Sequence, residues 1–359
     1  MRCMRQPLFS CLMCPWPLSV LGCSSQDALD AAKADSSSDA REGGDSSNHV
    51  GDASSDVGID DGLLTIPLTA CDTNVYSAEM TIGRTESFQL MVATGSTTLA
   101  VAAAGCSSCA DAGVSALYQP SPTAIDEHKT ISSNYGALGP SSWSGELYDD
   151  WVGTNTSPKM AEVRFGAIEQ QDQFLVGVCG QAAPQGVLGL GQAALEQPGT
   201  NGFFDQVVAA GLAPNLFATL LCPSGGFLWL GGYDTTHTTA APVYTPLTLM
   251  GPGQFGEGFY MVDLVSISVG ATTIPIATQS FPGTYFDTGA SIWSLPPDAF
   301  SALTSAIASD SRFTSLFGAQ AASFFSSPGN QVVLAQNRGA LDAALPSLTF
   351  TFGTNSPVP

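Results

Sequence analysis

Two short segments far apart in the chain carry the same loop pattern, with a carboxylate only in the second copy. The first reads Ala93-Thr94-Gly95-Ser96, and the second reads Asp287-Thr288-Gly289-Ala290-Ser291. Each follows an apolar run, so each pattern predicts a strand that ends in a tight turn, which glycine permits and the neighbouring hydroxyls stabilise by hydrogen bonds. If the two loops face each other, Asp287 lies opposite Ala93.

Two facing carboxylates would be able to hydrolyse a peptide bond. They cannot both ionise easily, so they share one proton and titrate as a unit. The ionised acid takes a proton from a bound water while the protonated acid polarises the peptide carbonyl. Because Ala93 supplies no acid, Asp287 is expected to behave as an ordinary, partly buried carboxylate, and hydrolysis is expected to be impaired.

The composition predicts a mostly globular, β-rich protein of one or two domains. The 359 residues are 44% hydrophobic and 11% charged, and 38 glycines with 23 prolines give frequent turns. A formal net charge of −21 disfavours binding to nucleic acid or to an anionic membrane surface, since both would repel the chain.

Residues 1–23 indicate an export signal. Arg2 and Arg5 precede an apolar stretch that is too short and too rich in proline to span a bilayer. The small residue before Cys23 resembles a bacterial lipoprotein processing site, which predicts lipid on Cys23 and a protein anchored at the bacterial cell envelope or surface. The alternative is an ordinary cleaved secretion signal, with Cys23 incidental. Membrane contact is expected only through a lipid anchor.

Residues 24–61 are rich in serine and aspartate and predict a disordered linker. Nothing in this segment can bury a core, so it should act as a solvated, self-repelling tether. An inhibitory propeptide over an acidic cleft is the weaker alternative, because such a segment should be basic and this one contains only Lys33 and Arg41.

The pattern of the remaining chain predicts strands with a few short helices. Alternating residues predict strands over 77–82, 87–92, 132–136, 144–148, 228–232 and 260–269. Residues 186–191 lack the lysine of a phosphate-binding loop and indicate a strand packed tightly by glycines. Phe300, Leu303 and Ile307 have helical spacing after Pro297, and Tyr285 and Phe286 are predicted to be core residues.

Cysteine and histidine positions argue against a metal centre. In an exported chain, Cys106 and Cys109 are candidates for a disulfide that closes a small loop, and the pairing of Cys71, Cys179 and Cys222 stays open. The three histidines, His49, His128 and His237, do not accompany a nucleophile-elbow pattern. We therefore expect neither serine-hydrolase chemistry nor a bound metal or cofactor.

Over residues 64–359, these motifs together resemble the pepsin-like aspartic proteases. The family's two catalytic loops correspond to residues 93–96 and 287–291, its cysteine pair to Cys106 and Cys109, and its flap to Tyr135-Gly136. The resemblance implies a bilobal fold with lobes at 62–240 and 241–359, a monomer, and a polypeptide in the interlobe cleft. The implied site residues are Asp287, Thr94, Gly95, Ser96, Thr288, Gly289 and Ser291.

The sequence departs from the family pattern in two places. Ala93 occupies the position of the first catalytic aspartate, and the family's second lobe normally continues well past a segment like residues 345–350. An incomplete second lobe is therefore expected to have an unpaired sheet edge. Two functions stay open: an aspartic endopeptidase impaired at position 93, and a non-catalytic peptide-binding protein.

Overall fold

The structure, a computed structural model, describes residues 63–353 apart from 72–74, 85, 136–140, 177–182, 239–240, 249, 251–255, 276–282, 291–292 and 327–337. The predicted export signal, the predicted linker, Cys23, Gly136, Cys179 and Ser291 lie outside the described residues. No helix within the described ranges is both long and apolar enough to span a membrane.

Strands dominate the described residues, which confirms the mainly β fold class. The strands are β1 Leu64–Ala70, β2 Tyr76–Ile82, β3 Glu86–Ala93, β4 Ala100–Ala102, β5 Ile125–Tyr135, β6 Ser141–Thr154, β7 Ser157–Asp172, β8 Gly186–Gly189, β9 Phe217–Cys222, β10 Gly225–Leu230, β11 Met261–Val262, β12 Leu264–Val269, β13 Thr272–Thr273, β14 Thr284–Tyr285 and β15 Leu348–Phe352. The α-helices are α1 Ser107–Asp111, α2 Phe203–Ala209, α3 Pro297–Ser309, α4 Ser311–Phe317 and α5 Arg338–Ala344. Short 3-10 helices cover Ala193–Leu195, Thr235–His237 and Gly318–Ser323.

The first ten strands form one sheet in the order β5-β6-β7-β4-β8-β3-β2-β1-β10-β9, and β6 also pairs with β2. Alternation along β2 and β3 buries one face, including Met80, Ile82 and Leu90, as the period of two predicts. The β2–β3 pair is antiparallel, and Gly83 at its turn has a φ of 68° that glycine adopts without strain.

Glycines allow β8 to pack closely between two other strands. β8 runs parallel to β3 and antiparallel to β4. A side chain at Gly186 would overlap the carbonyl of Ala100, and one at Gly189 would overlap the backbone of Thr97 and Thr98. The predicted glycine-packed strand is therefore present, and it supports the end of β3.

Described residues between Leu264 and Phe352 build a separate small core. β11 pairs with β14, and β12 lies between β13 and β15. The core contains Ile267 on β12, Leu303 and Ile307 on α3, and Phe313 and Phe317 on α4. Helix α3 begins at Pro297, as the sequence predicts.

Two details of the sequence-based description are wrong in this region. Phe286 is not a core residue, because 54% of it is exposed, and Tyr285 is only half-buried. The predicted strand over 260–269 is divided at Asp263 into β11 and β12, which belong to different sheets.

Candidate active site

The two loops, residues 93–96 and 287–290, face each other, and each follows the end of a strand. Ala93 is the last residue of β3 and lies opposite Gly189 in the parallel register with β8. The N–H of Leu190 donates to the carbonyl of Ala93 at 2.9 Å. β14 ends at Tyr285, two residues before Asp287, and is held by its antiparallel pairing with β11.

Thr94 and Thr288 join the two loops by reciprocal hydrogen bonds. The N–H of Thr94 donates to Thr288 Oγ1, and the N–H of Thr288 donates to Thr94 Oγ1, both at 3.1 Å. Thr94 Oγ1 also donates to the carbonyl of Phe286 at 3.0 Å, and Thr288 Oγ1 donates to that of Val92 at 2.8 Å. Each hydroxyl therefore uses both its donor and an acceptor site across the junction.

These bonds relate the two loops residue by residue. Thr94 and Thr288 are 194 residues apart, and the same offset relates their acceptors, Val92 and Phe286. The residue between each pair is then Ala93 in the first loop and Asp287 in the second. The hydrogen bonds thus give position 93 the same place in its loop that the carboxylate has in the other.

Asp287 is held by backbone donors from both loops. Its Oδ1 accepts from the N–H of Gly289 at 2.8 Å and from that of Gly95 at 3.1 Å. Burial raises the pKa of Asp287 above its ordinary value, and these two N–H groups oppose the rise because they stabilise the charged form. A methyl group at Gly95 would overlap Oδ2 of Asp287, so an alanine there would displace the carboxylate.

The methyl group of Ala93 lies close to Gly289, on the same side of the junction as the carboxylate of Asp287. The point that a Cβ of Gly289 would occupy lies 3.1 Å from Cβ of Ala93 and 3.2 Å from Oδ1 of Asp287. Ala93 is 5% exposed and packs with Ala100, Trp143 and Val187. Asp287 therefore has an apolar methyl group, and no second acid, at the equivalent position of the facing loop.

Tyr135, the predicted flap residue, reaches the first loop from the end of β5. Its hydroxyl is 3.4 Å from Oγ of Ser96 and accepts from Nε1 of Trp143 at 3.3 Å. Its ring stacks on Phe174, with the ring centroids 5.0 Å apart. Tyr135 therefore contacts both the loop that contains Ala93 and the aromatic ring of Phe174.

The predicted disulfide joins Cys106 and Cys109, and Cys109 is the buried residue of helix α1. Cys106 caps this helix, because its Sγ accepts from the N–H of Cys109 at 3.1 Å. Cys71 is also disulfide-bonded. Among the residues described, no group of three or more His, Cys, Asp or Glu side chains has a metal-binding arrangement.

Three residues near Tyr135 were missed by the sequence reasoning: Trp143, Gln171 and Phe174. Trp143 and Gln171 lie opposite each other in the β6–β7 register, and Phe174 follows the end of β7. The apolar character of Trp143 and Phe174 indicates burial but not which residue they touch. Gln171 follows two exposed positions, so its sequence context resembles that of a solvent-facing residue.

Comparison with known proteins identifies the lineage. The eukaryotic aspartyl protease family matches residues 75–353. The chain belongs to this family. It is 27% identical over 285 residues to an aspartic protease of Phaffia rhodozyma, an alignment that covers 79% of this chain and 66% of the relative. It is 29% identical over 145 residues to an aspartyl protease family protein of Arabidopsis thaliana, covering 40% of this chain and 27% of the relative. The chain thus spans less than two thirds of the length of either relative.

Proposed function

We propose that this chain is a pepsin-like aspartic endopeptidase by architecture whose hydrolytic step is strongly impaired at position 93. The observation that supports this most directly is the equivalence of Ala93 and Asp287 within the reciprocal Thr94–Thr288 bonds. An aspartate at 93 would face the same two backbone N–H groups that donate to Asp287, those of Gly95 and Gly289, and would share them with Asp287. The substrate class is an extended polypeptide.

The chemistry that Asp287 can perform alone is limited. As a partly buried carboxylate with a raised pKa, it can accept a proton from water once it is ionised. Hydrolysis also needs a protonated group that polarises the scissile carbonyl, and the methyl group of Ala93 cannot donate a hydrogen bond. Catalytic groups that act as a unit lose most of their effect when one is removed, commonly several orders of magnitude in rate.

Restoring the acid tests this proposal. The variants are Ala93→Asp, the size-matched control Ala93→Asn, and Ala93→Asp combined with Asp287→Asn. Each is assayed for cleavage of a reduced, alkylated protein between about pH 3 and 6, the range around the unperturbed carboxyl pKa. We expect Ala93→Asp to raise the cleavage rate by at least about 10³-fold, with little activity in the other two variants.

Several results would contradict the impaired-protease proposal. Comparable cleavage by the natural chain and by Ala93→Asp would show that hydrolysis does not need a second acid. Activity in Ala93→Asn would show that an amide suffices. A folded but inactive Ala93→Asp variant would show that position 93 is not where the partner acid is required.

A second candidate is a peptide-binding protein that does not hydrolyse its ligand. It is favoured by the hydrogen bonds of the loops. The hydroxyls of Thr94, Thr288 and Tyr135 all have hydrogen-bond partners, although the side chain of Ala93 makes no hydrogen bond. Anisotropy of a labelled, extended polypeptide measures this function directly. Saturable binding by the natural chain and by a folded, inactive Ala93→Asp variant would support the binder, whereas no binding by either would reject it.

We further propose that the protein is exported and attached to the bacterial cell envelope through lipid on Cys23, with residues 24–61 as its tether. The support is the signal-like composition of residues 1–23 and the small residue before Cys23. Mass spectrometry of the mature N-terminus tests this. Diacylglyceryl-modified Cys23 is the expected species, and an unmodified N-terminus from cleavage elsewhere would indicate ordinary secretion.

A further inference from the structure

The side chain of Gln171 connects two segments that meet beside Tyr135. Its Oε1 accepts from the N–H of Phe174 at 3.0 Å and from that of Leu175 at 3.3 Å. Two converging N–H donors require an oxygen at this position, so the amide's NH2 group points the other way. There Nε2 donates to the carbonyl of Ser108 at 2.9 Å.

The Ser108 end of this connection belongs to the disulfide loop. Ser108 lies in helix α1 between Cys106 and Cys109, and its Oγ accepts from the backbone N–H of Gln171 at 2.9 Å. Gln171 is therefore fixed at its backbone and at its side chain to a loop that a covalent bond closes. Such a doubly attached residue loses little additional entropy when it orders the segment that follows it.

The Phe174 end reaches Tyr135. Phe174 is 5% exposed, and its ring is nearly parallel to that of Tyr135, with an interplanar angle of 12°. Trp143, 2% exposed, lies beside Phe174 with ring centroids 6.4 Å apart and donates its indole N–H to the Tyr135 hydroxyl. A shift of Phe174 would therefore disturb both the tyrosine ring and the indole hydrogen bond.

We propose that Gln171 is a positioning residue that fixes the Tyr135 side chain through Phe174, using the Cys106–Cys109 loop as its rigid support. The consequence for peptide affinity rests on the proposed function, whereas the effect on Tyr135 does not. In a peptide-binding cleft, a tyrosine that is already fixed loses no conformational entropy when the ligand binds. Loss of Gln171 should therefore weaken peptide affinity more than it slows turnover.

Hydrogen exchange of the Trp143 indole proton in the ligand-free protein reports the position of Tyr135 directly. The full chain has five tryptophans, so Trp143→Phe assigns the resonance. The test variants are Gln171→Leu, which removes the amide, and Phe174→Leu, which removes the stacked ring and retains an apolar side chain. The matched control is Gln170→Leu at the exposed neighbouring position of β7.

We expect Gln171→Leu and Phe174→Leu each to accelerate exchange of the Trp143 proton about tenfold, with other indole protons and Gln170→Leu unchanged. Gln171→Glu retains the acceptor for Phe174 and Leu175 but cannot donate to the carbonyl of Ser108, so it should restore only part of the protection. Unchanged exchange in a folded Gln171→Leu or Phe174→Leu variant, or equal acceleration by Gln170→Leu, would overturn the proposal. When Gln171→Leu is combined with Ala93→Asp, KM should be several-fold higher than in Ala93→Asp alone, while kcat should change less than twofold. Absence of cleavage there counts against the proposed function alone, since the exchange result stands without it.

Discussion

The reciprocal threonine bonds between the two loops should be a measurable part of the free energy of unfolding. Thr94→Val keeps the shape and the β-branching of the side chain but removes a hydroxyl that makes two hydrogen bonds across the junction. At roughly 0.5–1.5 kcal/mol net for each bond, the expected loss is about 2 kcal/mol. Thr288→Val removes the two equivalent bonds and should cost about the same.

Urea denaturation measures these losses. With an m value of about 2 kcal/mol per M, each variant should lower the unfolding midpoint by about 1 M. Because both hydroxyls hold the same pair of loops, the double variant should cost less than the sum of the single variants by about 1 kcal/mol. Thr304→Val is the matched control, since its exposed hydroxyl bonds only within helix α3, to the carbonyl of Phe300 at 2.8 Å.

The control should change stability by no more than about 0.5 kcal/mol. If Thr94→Val and Thr288→Val were as mild as Thr304→Val, the loops would be held by something other than these hydroxyls. The equivalence of positions 93 and 287 would then lose its physical basis. Strictly additive single losses would show that the two hydroxyls act independently.

Three further predictions concern the same region. Burial raises the pKa of Asp287, so this residue's contribution to the free energy of unfolding is complete below about pH 3.9 and is lost as the pH rises through the raised pKa. In Asp287→Asn, the free energy of unfolding should therefore depend less on pH between about pH 3 and 7 than in the natural chain. Parallel pH profiles of the two proteins would contradict this. Gly95→Ala should cost about 1–3 kcal/mol in urea unfolding because its methyl group displaces Asp287, whereas Gly105→Ala, with open space around it, should be mild. Tyr260→Phe removes a 2.7 Å bond to the carbonyl of Leu190 and should lower the free energy of unfolding by about 1 kcal/mol, unlike Tyr244→Phe at an exposed position.

The sequence predicts well those parts of the fold in which one periodicity governs a whole segment. The strands over 77–82 and 87–92 are found because alternation decides which face is buried in a paired sheet. The strand over 260–269 is only partly predicted, because nothing local shows that Asp263 separates two pairings with different partners. Phe286 was expected in the core on composition alone, yet its ring is exposed beside Phe352.

The two loops were predictable as a pair, but the support of Tyr135 was not. A repeated motif can be found by comparing the chain with itself, and the repeat places residues 93 and 287 at equivalent positions. Gln171 has no such counterpart to reveal it, and its role depends on Ser108 and Phe174, which approach it from different segments. The information lies in the convergence of three segments, which no single stretch of sequence displays.

The bonds that hold the candidate site together are separate from the group that would complete its chemistry. Thr94, Thr288 and the backbone N–H groups of Gly95 and Gly289 make the junction, and none of these bonds uses the side chain of residue 93. An alanine there packs among other apolar side chains and has no side-chain polar group that would need a partner. Loss of an acid at this position would therefore cost the fold little. It would also relieve the repulsion between two buried carboxylates, so a stable structure around Ala93 is what electrostatics alone would favour. An aspartate at 93 would therefore increase the rate of hydrolysis but lower the free energy of unfolding, and alanine at this position has the opposite balance.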